Sequence, residues 1–232
     1  MINEIINDFN KALLVKERYK FIFTGIKNTL AISFIAVIIG VIIGVLVAII
    51  NSYSKETKKI KIISTISKGY VTVIRGTPVV LQLMMIYYVV FKDVRDLNLI
   101  LVAALAFGIN SGAYVSEIIR AGIESVDKGQ MEAGRSLGLG YFKTMKLIIL
   151  PQAIKNILPA IGNEFITLIK ETSIAGYIGV VDLTKASDII ASRTYDYFCP
   201  LIIVALIYLL IVQGLSKLLN LFERRLNKNA WN

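Results

Sequence analysis

The 232-residue sequence contains no histidine and a single cysteine, Cys199. Without histidine it lacks the commonest metal ligand and general base of proteins. One cysteine cannot form a disulfide within the chain or a cysteine cluster around a metal. A Gly-x-x-x-x-Gly-Lys-Ser/Thr loop is also missing, so the chain cannot hold nucleotide phosphates in that way. We therefore expect neither a metal nor a cofactor on this chain.

Apolar residues dominate what is present. They make up 56% of the chain, and the mean hydropathy is +0.68, too high for an ordinary soluble domain. Charges are spread over the first 24 positions, so we expect no cleaved signal peptide. Long apolar runs approach the roughly 20 residues that cross a bilayer core. The pattern predicts an all-α, polytopic membrane protein with five transmembrane helices, at residues 28–50, 62–91, 99–119, 153–168 and 199–219.

Lysine and arginine are distributed unevenly between the loops. Residues 51–62, residues 120–147 and the C-terminal tail carry four or five each, whereas residues 91–98 and 170–198 carry two and three. Because basic loops stay in the cytoplasm, five spans place the N-terminus outside and the C-terminus inside. The same distribution explains the net charge of +10 without a nucleic-acid partner.

The N-terminal charges argue for the opposite orientation. Five basic residues lie within the first 27 positions, and we interpret this segment as an amphipathic helix on the outer membrane surface. The chain then divides into an extracytoplasmic segment, a transmembrane domain and a cytoplasmic tail, at residues 1–27, 28–225 and 226–232.

A short polar segment, residues 122–151, separates the third and fourth spans. Asp127 is typical of a helix N-cap, and Gly138 is placed to end that helix in a left-handed conformation. A second helix is predicted from Tyr141 until Pro151 stops it. The segment should therefore form a helix, a sharp turn and another helix that project from the membrane.

The first of these helices carries Glu132, Ala133, Gly134 and Arg135. The small residues Ala133 and Gly134 leave a flat face, and the charges of Glu132 and Arg135 lie at its rim. Residues 132–151 resemble the EAA motif of ABC importer permeases. Their pattern is Glu-Ala-Gly, three residues, Gly, nine residues, Ile, one residue and Leu-Pro. Gly134 stands where alanine is usual. The resemblance implies that these four residues and Gly138 contact a separate ATPase. A plain connecting loop is the alternative.

Further stretches are similar to permeases of polar amino-acid uptake, the histidine/glutamine/arginine/opine type. The resemblance covers most of residues 20–225 and implies the type I ABC importer permease fold in a bacterial cell membrane. It also implies a two-fold dimer with an identical or a sister permease, an ABC ATPase dimer that binds ATP and Mg, and an extracytoplasmic binding protein. The matching stretches are Arg75-Gly76-Thr77-Pro78 and residues 113–120, 122–126, 150–153 and 170–173.

Polar residues inside apolar spans indicate a ligand path. Glu164, beside Asn163 in the fourth span, suits the amino group or a cationic side chain of a substrate. Asn110 and Ser111 in the third span can complete such a site, and Glu117 lies roughly 10 Å nearer the cytoplasm. Each has a structural alternative, either a hydrogen bond between helices or, for Glu117, an ion pair within its own helix.

The second span is interrupted by polar residues. Thr77 and Pro78 are expected to restart the helix as an N-cap and first-turn pair. Arg75 is expected at an inner gate or, alternatively, to extend its charge to the membrane surface. Gln82 is expected to line the outer half of the path.

Together these features predict the permease subunit of an ATP-driven importer for a polar amino acid. The carboxylate of Glu164 favours a basic substrate such as arginine, lysine or histidine. The alternative is a secondary transporter or channel driven by an ion gradient, because carriers of that class also use intramembrane carboxylates. An intramembrane enzyme has neither a histidine nor a nucleophile–base pair to support it.

Overall fold

The computed structural model describes residues 9–228, and all regular secondary structure in that range is helical, as predicted. A π-helical turn, Ile86–Val90, extends the helix Val79–Met85, and another, Met145–Ile149, joins the helix Tyr141–Thr144 to the helix Leu150–Glu171. A 3-10 segment, Thr172–Ile178, follows the helix Leu150–Glu171. The main helices are α1 Tyr19–Thr57, α2 Lys61–Arg75, α3 Val79–Met85, α4 Leu99–Glu124, α5 Lys128–Ser136, α6 Tyr141–Thr144, α7 Leu150–Glu171, α8 Leu183–Thr194 and α9 Phe198–Lys228.

Three of the described helices are long and apolar enough to cross a membrane: α1 with the turn before it, α4 and α9. The pair α2 and α3 makes a fourth if it is counted as one span, although its two halves are bent by 110°. The 22 residues of α7 extend about 33 Å, but Lys155, Glu164 and Lys170 make it less apolar. The span predicted at residues 153–168, and with it the count of five, therefore stays a prediction.

The first helix is longer than the predicted span at both ends. α1 has 39 residues and begins at Tyr19, inside the segment that was expected to lie apart from the transmembrane domain. Hydropathy reports only the part of a helix that is apolar, so Lys20 and Lys27 hid its beginning. Residues 1–8 of the expected amphipathic segment lie outside the described residues.

A central core forms where four elements meet. Ile32 and Ala36 of α1, Leu83 of α3, Phe107 of α4 and Leu168 of α7 are fully buried and pack together. Apolar side chains of this size each stabilise the fold by about 1.5–3 kcal/mol when buried. Phe107 lies one turn before Ser111 on α4, and Leu168 one turn after Glu164 on α7, so the core borders the polar residues of these helices.

The break in the second span lies at Gly76 to Pro78, as predicted, but its capping differs. Pro78 is extended (φ −64°, ψ 133°) and is itself the N-cap, so that α3 begins at Val79. The hydroxyl of Thr77 donates backward to the carbonyl of Val73 at 2.8 Å instead of capping α3. The prediction of Thr77 as the N-cap was wrong, because this hydroxyl satisfies the end of α2 instead.

The polar segment after α4 confirms the predicted helix, cap and turn. The carboxylate of Asp127 accepts from the amide of Gly129 at 2.7 Å at the start of α5. At the other end Gly138 has φ +84°, the amide of Leu139 bonds to the carbonyl of Gly134 at 3.1 Å, and that of Gly138 to Arg135 at 3.0 Å. These two bonds are those of a Schellman motif.

The predicted stop at Pro151 is wrong. The chain stays helical from Tyr141 through the π turn into α7, and Pro151 lies in the first turn of α7. Proline has no amide hydrogen to donate. It is tolerated here because the π turn just before it already interrupts the regular backbone hydrogen bonding of the α-helix. The polar segment is thus rigidly continuous with α7.

Candidate functional site

The centre of the site is a hydrogen bond between α4 and α7. The hydroxyl of Ser111 donates to Oε1 of Glu164 at 2.8 Å. Ser111 is completely buried, and Glu164 is partly exposed. A carboxylate with one oxygen held in this way keeps its second oxygen available to a cationic ligand.

The neighbours of these two residues point elsewhere. Asn163 is exposed, and consecutive helical residues point about 100° apart, so the structure does not bring Asn163 to the Ser111–Glu164 pair. Asn110 is buried but donates to Oε1 of Gln82 on α3, at 2.9 Å. Of the five residues grouped from sequence, the structure therefore joins only Ser111 and Glu164 directly.

Gln82 connects α4 to the break between α2 and α3. Its amide nitrogen donates to the carbonyl of Ile74 at 2.8 Å, the carbonyl of Thr77 at 3.1 Å and the hydroxyl of Thr77 at 2.8 Å. Its oxygen accepts from Asn110. Gln82 thus donates hydrogen bonds to the carbonyls of Ile74 and Thr77 at the break. Inside a bilayer no water is present to take that role.

Glu117 is bound by two arginines. Arg120 contacts it through a nitrogen–oxygen distance of 2.8 Å, as the spacing within α4 predicted, and Arg75 approaches it at 3.5 Å. The guanidinium of Arg75 also lies over the ring of Tyr114, 5.3 Å from its centroid. The structure therefore places Glu117 in a link between the break and α4, separate from the Ser111–Glu164 pair.

The turn after α5 presents a mixed surface. Glu132, Ala133, Arg135 and Gly138 are exposed, as a docking face requires. Gly134 is not part of that face. It is buried against α6, where a Cβ would lie 2.5 Å from Cγ2 of Thr144. The glycine in place of the usual alanine therefore leaves room for the packing of α6.

Sequence reasoning missed two residues that the structure draws attention to. Leu137, at the tip of the turn, is 82% exposed, which is unusual for a leucine beside a capped helix. Glu171 lies seven residues after Glu164, so it shares the same face of α7 about 10.5 Å further along the axis. The seven-residue spacing was readable in the sequence, whereas the exposure of Leu137 depends on the turn geometry.

A further carboxylate lies outside the spans. Asp182 accepts from the amides of Thr184 at 2.9 Å and Lys185 at 3.2 Å, and so caps α8. Burial raises its pKa from 3.8 to about 6, although these hydrogen bonds act in the opposite direction. Within residues 9–228 no group of three or more histidine, cysteine, aspartate or glutamate side chains is arranged to hold a metal.

The sequence matches the protein family described as the inner membrane component of binding-protein-dependent transport systems, over residues 36–228. The chain belongs to this family. The type I permease fold of ABC importers, expected from the resemblance, is confirmed. In such systems the ATPase is a separate subunit, and the permease is a multi-pass protein of the inner membrane.

Two relatives and two solved structures show how close the similarity is. The chain is 42% identical over 207 residues to the "Putative glutamine transport system permease protein GlnP" of Rickettsia bellii, covering 89% of this permease and 93% of the relative. It is 42% identical over 210 residues to the arginine transport system permease protein ArtQ of Bacillus subtilis, covering 90% and 94%.

The structural comparison gives the same family. A crystal structure of an amino acid ABC transporter with histidines superposes with a TM-score of 0.84 at 47% identity, covering 91% of this permease and 96% of that chain. The MetNI methionine ABC transporter, in an inward-facing conformation, gives a TM-score of 0.71 at 19% identity, covering 89% and 96%. At that identity the second similarity concerns the fold alone.

Proposed function

We propose that this permease carries a polar amino acid across the membrane, with a preference for basic substrates such as arginine. The observation that carries the proposal is the Ser111–Glu164 hydrogen bond at the meeting of α4 and α7. An ionisable group within the membrane is costly and is retained where it binds or moves a ligand. Relatives named for glutamine and for arginine transport support a polar amino acid.

Glu164 supplies the charge in this proposal, and Ser111 fixes its orientation. A substrate ammonium or guanidinium group pairs with the free carboxylate oxygen, whose interaction is strengthened by the surrounding apolar core. Asn110 and Gln82 support the site from behind, because their side chains bond to each other at 2.9 Å. Asn163 and Glu117, which were grouped with the site from sequence, contribute less directly in this geometry.

The coupling to ATP hydrolysis is assigned to α5 and its turn. Glu132, Ala133, Arg135 and Gly138 form the exposed face that contacts a partner ATPase, and Gly134 acts from inside by packing on Thr144. Arg75, Thr77 and Pro78 form a hinge at the break, tied to α4 through Glu117 and Gln82. A second permease chain and an extracytoplasmic binding protein complete the importer, with the N-terminus of the chain outside.

Transport by the complex reconstituted with its ATPase and binding protein tests the role of Glu164. Glu164→Gln keeps an oxygen for Ser111 but removes the charge, so arginine uptake should fall about tenfold, more than glutamine uptake does. Glu223→Gln is the matched control, the same change at an exposed position near the end of α9, and it should leave both rates unchanged. Wild-type rates of uptake for both amino acids in Glu164→Gln would remove this residue from the substrate site.

A further inference from the structure

Glycines bring α1 and α4 into close contact. Gly40 and Gly44 of α1 are both buried, and each faces a different residue of α4. A Cβ added at Gly40 would lie 2.7 Å from Oγ and 2.8 Å from Cβ of Ser111. One turn further, a Cβ at Gly44 would lie 2.5 Å from Cγ1 of Val115. Side chains of ordinary size cannot approach so closely, so both positions require glycine.

The two contacts differ in what stands behind them. Ser111 is completely buried, and its hydroxyl makes the hydrogen bond to Glu164. Val115 is equally buried but is apolar and packs with Ala48, Ile119 and Ala153. A methyl group at Gly40 must therefore displace the serine that orients the carboxylate. The same group at Gly44 meets Val115 and, at 2.9 Å, the backbone nitrogen of Ser116, and neither residue bonds to Glu164.

We infer that Gly40 of α1 is a positioning residue of the substrate site. It acts through Ser111, which bonds to Glu164. The absence of a side chain at Gly40 leaves the space in which the hydroxyl of Ser111 reaches Glu164. Close packing permits few alternative rotamers for a fully buried side chain, so the backbone of α1 selects the one that donates. This inference rests on the proposed function of Ser111 and Glu164.

The test separates affinity from stability. The Kd for radiolabelled arginine and the melting temperature are measured on the purified permease–ATPase complex without a binding protein. Gly40→Ala should raise the Kd about tenfold, as Ser111→Ala does, because both remove one charge-assisted hydrogen bond. Gly44→Ala should lower the melting temperature at least as much as Gly40→Ala, because its Cβ meets closer neighbours, while its Kd stays within about twofold of wild type.

A compensating variant keeps the test decisive if Gly40→Ala assembles poorly. Gly40→Ala combined with Ser111→Gly moves one carbon across the interface and relieves the overlap, but it does not restore the hydroxyl. We expect the melting temperature to recover to that of Ser111→Gly alone, with the Kd as high as in that single variant. A Kd higher than that of Ser111→Gly alone would show that Gly40 affects binding independently of the hydroxyl, and would overturn the inference.

The remaining outcomes distinguish the two levels of the argument. If Ser111→Ala raises the Kd and Gly40→Ala does not, Gly40 has no positioning role and the proposed site stands. If Gly44→Ala raises the Kd as much as Gly40→Ala, the effect is general to the interface and the inference fails. If neither Ser111→Ala nor Glu164→Gln changes the Kd, the proposed site itself is wrong and the role of Gly40 falls with it.

Discussion

The turn after α5 offers a test of coupling in which the backbone alone is changed. Gly138 has φ +84°, and no atom lies within 4 Å of a Cβ built on it. Gly140, two residues later, is also open on all sides but has φ −69° and ψ 160°, which any residue adopts. A side chain therefore meets no neighbour at either position, and only the backbone conformation separates them.

The magnitude follows from this difference. A non-glycine residue in the left-handed region costs about 1–2 kcal/mol, and a β-branched one is a genuine outlier there. Gly138→Val should therefore lower the population of the native turn by a factor of about 5–30, whereas Gly140→Val should leave it nearly unchanged. Gly138→Asn should lie close to wild type, because asparagine tolerates the left-handed conformation.

The assay is the number of substrate molecules taken up per ATP hydrolysed, in proteoliposomes that contain the complete importer. We expect this ratio to fall in Gly138→Val and to be kept in Gly140→Val and Gly138→Asn, with similar amounts of assembled complex. A Gly138→Val complex that couples as well as Gly140→Val would refute the coupling role of the turn, since the backbone would then have no influence on it.

Two further predictions concern residues at the surfaces of the permease. Leu137→Asp should weaken co-purification of the ATPase at least about tenfold, because a docked leucine contributes about 1.5–3 kcal/mol. Ser136→Asp adds the same charge at the neighbouring position and is the control. An equal loss in both variants would show that the added charge, and not the lost leucine, weakens binding. Burial raises the pKa of Asp182 from 3.8 in the unfolded chain to about 6 in the folded protein. Stability should therefore fall by about 3 kcal/mol as the pH rises through this window, and Asp182→Asn, which still caps α8, should flatten the melting temperature between pH 4 and 7.

Much of the local structure was predictable from short stretches of sequence. Asp127 caps α5 and Gly138 ends it as expected, because caps and left-handed turns depend on a few adjacent residues. The break near Pro78 was predicted for the same reason. The ends of the helices were predicted less accurately, as α1 shows. Hydropathy indicates which residues suit a lipid environment, but it does not indicate where the helical backbone begins or ends.

The errors come from the directions in which side chains point. Gly134 was assigned to the docking face, but the path of α6 turns Thr144 toward it. Asn110 and Ser111 are adjacent in sequence, yet one bonds to Gln82 on α3 and the other to Glu164 on α7. Which partner each receives depends on how α3, α4 and α7 are rotated against one another, and a single sequence does not contain that information.

In the coupling that we propose, contacts along α4 connect the turn after α5 to the Ser111–Glu164 pair. Gln82 ties the break to Asn110, and Arg75 ties it to Glu117, so the break is attached to α4 on both sides of Ser111. α4 ends at Glu124 and α5 begins at Lys128, which leaves three residues between them and little slack. If α5 shifts with a docked ATPase, as we propose, Ser111 and the break should move with α4, and the hydrogen bond from Ser111 to Glu164 on α7 should change with them.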